Sequence, residues 1–270
     1  MDKEQIILKE ILKKLFKKSL PPIIVKKNNL SFKVAEVCHE GPNWWLTNYI
    51  KWEKHTFDIF DKLLKKDMIY LDIGTFSGQT VLYAAQKVNK VYAVELDPNA
   101  YKACRKNIQV NEYSNVVLEH AALSDTDGET FIEKSRVGSS GCYMIPQGEI
   151  KVNSYTIESL MKKWKLDGCD FIKMDIEGGE EICLPAMKSF FKKYNPLFYL
   201  SVHKELGANS KTIVDSTKNY KYVYDQSYSN IKENLYEIIN SQPSSHGEQD
   251  YLFSNKPIEK ILNMKKTTVS

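Results

Sequence analysis

Four side chains that could bind a polar ligand or move a proton close apolar runs of the chain. Asp72 ends Met68–Asp72, Glu95 ends the run from Lys90 through Val94, Asp175 ends the run from Phe171, and His203 ends Pro196–Val202. In open α/β sheets ligands sit outside the carboxyl ends of the strands, so four such residues at four strand ends predict one crevice. An acid about 20 residues after a glycine turn suits the two hydroxyls of a ribose, which makes Glu95 the expected sugar ligand. A paired carboxylate and imidazole suit proton removal from a weakly acidic group, which makes Asp175 and His203 the expected catalytic pair, with His203 the base.

The elements that must position these groups are legible. Met68–Asp72 reads as a strand, Gly74-Thr75-Phe76-Ser77-Gly78 as a turn, Gln79–Val88 as a helix and Lys90–Val94 as a parallel strand. The turn lacks G-x-G-x-x-G, because Phe76 holds the place where a pyrophosphate needs close backbone approach. No Gly-Lys-Ser/Thr follows, so no phosphate-cradling loop forms. A phosphate-free, acidic turn suits S-adenosylmethionine, and the stretch resembles the class I methyltransferases that use it. Asp72, Gly74, Thr75, Ser77 and Gly78 are then expected at the methionine end, Glu95 and Leu96 at the ribose, and Ala121 and Ala122 beside the adenine. Glu53, on a helix expected over Tyr49–Leu64, either reaches the cofactor's ammonium or pairs with a lysine at the surface.

A second motif narrows the family. DFIKMDIEGGEE over Asp170–Glu181, with DIGTFSGQT, Asn107, Asn111, AALSD and a strand ending in Val202-His203, resembles the FkbM-type methyltransferases over about Tyr49 to His203. Ser201 and Thr75 depart from the residues common in that family. The resemblance implies a mostly parallel seven-stranded α/β sheet of the Rossmann-like class flanked by helices. It also implies an O-methyltransferase, often acting on sugars or glycosylated metabolites. A sugar acceptor gives roles to Trp44 and Trp45, whose rings stack on sugars as readily as they fill cores. Ser139 and Ser140 lie in the Gly- and Ser-rich loop Ser135–Gly148, expected to be a mobile substrate loop, and Glu177 and His203 are expected to face the acceptor. A divalent ion on Asp175, Glu177 and His203 is the rival way to acidify a hydroxyl. Glu177, two residues along a turn, reads instead as a helix cap or packing residue, so no metal is expected. The alternatives are methylation of another small molecule, a non-catalytic binding module on the same fold, or an atypical nucleotide-sugar oxidoreductase. The last lacks a Tyr-x-x-x-Lys pair.

Composition excludes other classes. Apolar residues make up 42% and charged residues 27% of the 270, as in ordinary globular proteins. There is no apolar run of about 18 residues and no signal-peptide pattern. Five scattered cysteines without a C-x-x-C pair argue for a reducing compartment, so a cytoplasmic location is expected. The formal net charge of +4 is concentrated at the front: residues 1–33 hold nine lysines against three acids. Only Arg105 and Arg136 could make bidentate base or phosphate contacts, so no nucleic-acid partner is indicated.

Three regions follow. Residues 1–48 are an extension: an amphipathic helix over Gln5–Leu20, stopped by Pro21-Pro22, then a hairpin around Asn28-Asn29. The helix either packs on its own domain or touches a membrane surface weakly, and the first is favoured. Residues 49–256 are the methyltransferase domain, and 257–270 a basic tail. Within the domain, helices are expected after Asp97-Pro98, over Thr156–Trp164 and over Glu180–Phe191, and an extra strand pair around Phe131–Ile132 and Ile150–Val152. Neither the acceptor nor the oligomeric state is legible.

Overall fold

The computed structural model describes residues 21–38, 41–241 and 249–262. The expected helix Gln5–Leu20, most of the polar loop Ser241–Gln249 and the end of the basic tail lie outside them.

Seven strands form the central sheet. Five run parallel: β3 (Ile69–Ile73), β4 (Lys90–Glu95), β5 (Val116–His120), β9 (Phe171–Met174) and β10 (Leu197–Val202). Two close the edge: β11 (Tyr222–Tyr224) and β12 (Gln249–Ser254), the latter antiparallel to both of its neighbours. The order is β11-β12-β10-β9-β3-β4-β5. This is the class I methyltransferase sheet. Its order reverses between β3 and β9, where the chain leaves in opposite directions and opens a crevice.

The strands are buried on both faces, which is why they read as continuous apolar runs. One face carries Leu71, Ile172, Leu200 and Phe253 with the helices over Ile157–Trp164 and Glu180–Tyr194. The other carries Tyr70, Val91, Phe171 and Tyr199. Onto this second face fold the hairpin β1 (Ile23–Lys27) and β2 (Leu30–Val34) and the helix Gly41–Thr47. The hairpin turns at Asn28, whose φ of +49° suits Asn. A smaller sheet of β6 (Ala122–Leu123), β7 (Gly128–Ile132) and β8 (Ile150–Tyr155) contains the expected extra pair, lengthened, and adds β6 beside it.

Two expected helices are broken. Tyr49–Leu64 is not continuous: the helix Gly41–Thr47 ends early, and the next spans Lys54–Leu63. Between them the carbonyls of Tyr49, Ile50 and Trp52 turn inward to accept from Lys27 Nζ at 2.9, 3.2 and 2.5 Å. That ammonium also lies 4.3 Å from the centre of the Phe57 ring. Pointing three carbonyls at one ammonium is incompatible with their lying parallel along a helix axis. Glu180–Phe191 divides into Glu180–Ala186 and Lys188–Tyr194, because Pro185 has no N–H for the ladder. The helix after β3 is also short, spanning only Val81–Ala84.

Candidate active site

At the reversal of strand order lies a crevice of about 350 Å³. Its walls are the turn after β3, the end of β4, the end of β9, the loop at Ser139-Ser140 and the aromatic pair Trp44 and Trp52. Two glycines shape it. Gly74 has φ +85°, and a Cβ there would stand 1.7 Å from the Asp175 carbonyl oxygen. Gly178 has φ +90°, and a Cβ there would stand 2.6 Å from the Leu206 carbonyl oxygen. The turn after β3 and the turn after β9 therefore touch through backbone, which only glycine permits.

Glu95 sits at the floor of the crevice and is 4% exposed. Its two carboxylate oxygens accept from the backbone N–H of Phe76 at 2.7 Å and of Asp97 at 2.8 Å. Burial pushes its pKa up to about 7, against the pull of those two bonds. A carboxylate oxygen has room for more than one donor, so this fixed group can still receive a vicinal diol. Beside it a small apolar recess of about 20 Å³ is lined by Val94, Leu96, Ala121, Ala122, Met144 and Ile176. The diol acceptor and the apolar lining beside it have the polarity that the ribose and adenine of S-adenosylmethionine need.

The opposite wall is charged. Lys173, 1% exposed inside β9, donates to Asp175 Oδ2 at 2.7 Å. Burial works against its ammonium, but Asp175, Glu53 and Asp72 outweigh it and raise the pKa. Asp175 is correspondingly held below the usual carboxylate range: burial raises it, and Lys173 and His203 more than reverse that. Asp175 Oδ1 and Glu177 Oε2 stand 3.3 and 3.8 Å from His203 Nε2, while His203 Nδ1 meets Glu180 Oε1 at 3.0 Å. Burial lowers the His203 pKa, but Glu180, Asp175 and Glu177 together push it up to about 10.

The expected site residues therefore divide. Trp44, Gly74, Thr75, Glu95, Leu96, Ser139, Ser140, Asp175 and Glu177 line the crevice, and Ala121 and Ala122 line its recess. Trp45 does not. It is fully buried against Phe32 and Tyr49, so its role is packing rather than sugar stacking. His203 is 2% exposed and lies behind Asp175 and Glu177. Buried there, His203 does not reach an acceptor in the crevice as the expected base would, whereas the two carboxylates do line it. Glu177 does not cap the next helix: Gly179 is the N-cap, with no side-chain bond, and Glu177 takes φ +52° and turns to the crevice.

Four expected cofactor contacts instead support the walls. Asp72 is fully buried and accepts from the Tyr70 hydroxyl at 2.9 Å; burial raises its pKa to about 6. The Ser77 carbonyl accepts from Asn107 Nδ2 at 3.0 Å, and Gly78 lies against Cys104. Glu53 starts the helix Lys54–Leu63 in a left-handed conformation, and its charge is felt by Lys173. Lys173 lines the crevice without having been expected there, and Trp52 and Phe76 join it. The lysine had a signal, a charge inside an apolar strand, and Trp52 had one in its closeness to Trp44 in the sequence.

The model of the FkbM methyltransferase domain matches residues 72–238. The chain belongs to that family. A curated match is an uncharacterised protein of Methanocaldococcus jannaschii, 32% identical over 98 residues, which are 36% of this chain and 37% of that protein. The chain thus spans about a third of the length of that relative. Among solved structures it is similar to the FkbM methyltransferase of Methylobacillus flagellatus, at 12% identity and TM-score 0.45, over 77% of this chain and 55% of that one. It is also similar to the precorrin-6y C5,15-methyltransferase of Geobacter metallireducens, at 16% identity and TM-score 0.44, over 76% and 88% of the two chains. No helix among the described residues is long and apolar enough to cross a membrane.

Proposed function

We propose that this FkbM-family chain is an S-adenosylmethionine-dependent O-methyltransferase whose acceptor is a hydroxyl of a carbohydrate-bearing small molecule. The observation that carries the reading is the carboxylate pair Asp175 and Glu177 on the crevice wall facing Glu95. An amine can attack through its lone pair, whereas a hydroxyl must lose a proton as its oxygen bonds, so a hydroxyl acceptor gives such a pair a purpose. Bound S-adenosylmethionine supplies an electrophilic methyl group, whose bond to sulfur breaks as the acceptor oxygen bonds to its carbon.

The chain's own residues do the rest. Glu95 holds the ribose hydroxyls, and Ala121, Ala122 and Leu96 flank the adenine. Lys173 keeps Asp175 ionised and fixed by its 2.7 Å bond. Asp175 and Glu177 accept the departing hydroxyl proton. Trp44, Trp52 and Phe76 present rings to the same space, a surface for the apolar face of a sugar. Their main service is orientation, since a bound pair of reactants in line needs little further activation.

The direct test incubates the protein with methyl-labelled S-adenosylmethionine and a panel of free and glycosidic sugars, alongside amines and nucleosides. Label in a sugar methyl ether is the expected result. Transfer to amines alone would overturn the hydroxyl assignment.

A further inference from the structure

The end of β9 and the residue after β10 hold more than a proton acceptor requires. One donor atom each from Asp175, Glu177 and His203 lies within 4.8 Å of the others. His203 is 2% exposed, and its Nε2 makes no hydrogen bond, although two carboxylate oxygens face it at 3.3 and 3.8 Å. Those contacts have the distances of an ion pair without the alignment of an N–H bond. The three atoms are close enough together to share one ion. Donors about 2.1 Å from one ion lie about 3.0–3.4 Å apart for right-angle to tetrahedral geometry; the 3.3 Å spacing falls in that range, and the 3.8 Å spacing needs only a small closure of the Glu177 side chain.

The other ring nitrogen supplies independent support. Nδ1 is bonded to Glu180 Oε1 at 3.0 Å, and Glu180 is fully buried. A histidine that ligates a metal through Nε2 commonly gives its Nδ1–H to a carboxylate, which fixes tautomer and ring plane. Glu180 is buried where that bond is its visible purpose. The fold also explains the grouping: the left-handed Glu177 and the close Gly178–Leu206 approach bring the turn after β9 against the residue after β10.

We infer that Asp175, Glu177 and His203 form a site for one divalent cation, with Glu180 as the positioning residue for His203. Two carboxylates and one imidazole suit Mn²⁺ or Zn²⁺ better than Mg²⁺, which prefers an all-oxygen octahedron. Asp175 and Glu177 line the crevice, so an ion held by them would border it. The use of the site rests on the methyl-transfer reading: a cation there would acidify the acceptor hydroxyl. Its existence does not rest on that reading.

The test titrates Mn²⁺ into the chelator-treated full chain, read by calorimetry and by loss of the free-ion electron paramagnetic resonance signal. S-adenosylhomocysteine is titrated in parallel. One Mn²⁺ per chain is expected, abolished in His203→Ala and weakened at least about tenfold in Glu177→Gln, which keeps the fold testable if the histidine variant does not fold. Glu180→Gln should weaken binding about 10–100-fold while leaving S-adenosylhomocysteine affinity unchanged. Absence of stoichiometric Mn²⁺ and Zn²⁺ binding, or binding indifferent to Glu177→Gln and His203→Ala, overturns the site. S-adenosylhomocysteine binding without ion binding removes the metal site and leaves the methyltransferase reading standing. Ion binding without S-adenosylhomocysteine binding does the reverse.

Discussion

At the residue scale, Glu95 and Asp175 face each other across the crevice in opposite electrostatic states. Glu95 has only backbone dipoles to offset its burial, whereas Asp175 has a buried ammonium. The Glu95 pKa of about 7 has a sign that can be worked through. A diol donates to the ionised carboxylate, so ligand and proton compete for it. Cofactor affinity should be full above pH 7 and fall as pH drops below it. Calorimetry with S-adenosylhomocysteine between pH 5.5 and 8.5 (roughly the window around that value) checks this. Glu95→Gln should flatten the profile, and Glu95→Ala should cost about 2–3 kcal/mol of binding at pH 8, the scale of charge-assisted bonds. A steep profile surviving in Glu95→Gln assigns the titration elsewhere. Asp175→Asn keeps the shape and removes the proton acceptor. It should lower kcat by about 10²–10⁴-fold while S-adenosylhomocysteine binding stays within a few-fold, because the lost interaction belongs to the transition state.

At the element scale, the support of the cofactor turn comes from a residue far along the chain. Asn107, fully buried on the helix Pro98–Val110, accepts from the N–H groups of Ala35 and Glu36 through Oδ1. Through Nδ2 it donates to the carbonyls of Glu36 and Ser77. One side chain thus ties the end of the β1–β2 hairpin, a helix and the turn after β3 together. Asn107→Ala leaves four backbone groups without their partner and should lower stability by about 3 kcal/mol, read as a lower urea midpoint with unchanged slope. Asn107→Asp, which keeps the acceptor and loses the donors, should fall between. Asn107 was visible in the sequence as part of a family resemblance, but its partners were not, because they lie 30, 71 and 72 positions away. The strands were legible for the opposite reason: burial on both faces writes itself as an apolar run. Helix breaks were not legible where a tertiary contact made them, as at Lys27, which draws three carbonyls out of a helix that local pattern would continue. Trp45 misled in the same way: residue type suggested contact with a ligand, and depth in the fold, which a sequence does not record, turned it inward.

At the scale of the whole molecule, the crevice exists because the sheet reverses between β3 and β9, and the reversal is held closed at its base by Gly74. The absent side chain at that position lets the turn after β3 lie on the Asp175 carbonyl, so the cofactor wall and the carboxylate wall share one backbone contact. Gly74→Ala should therefore do more than strain a turn. A Cβ 1.7 Å from a carbonyl oxygen cannot be relieved by a side-chain rotation, because the backbone fixes the position of both atoms. The two strand ends must separate, which displaces Asp175 from Lys173 and moves the floor beneath Glu95. Gly207 provides the comparison: its φ of +103° is equally unfavourable for alanine, yet nothing lies within 4 Å of its Cβ position. Gly207→Ala should cost about 1–2 kcal/mol, the conformational term alone. Gly74→Ala should cost clearly more in urea unfolding, and the surviving folded protein should lose S-adenosylhomocysteine binding. Equal destabilisation by the two substitutions, with cofactor binding kept in both, would mean that the walls of the crevice are built independently and that Gly74 serves only its own turn.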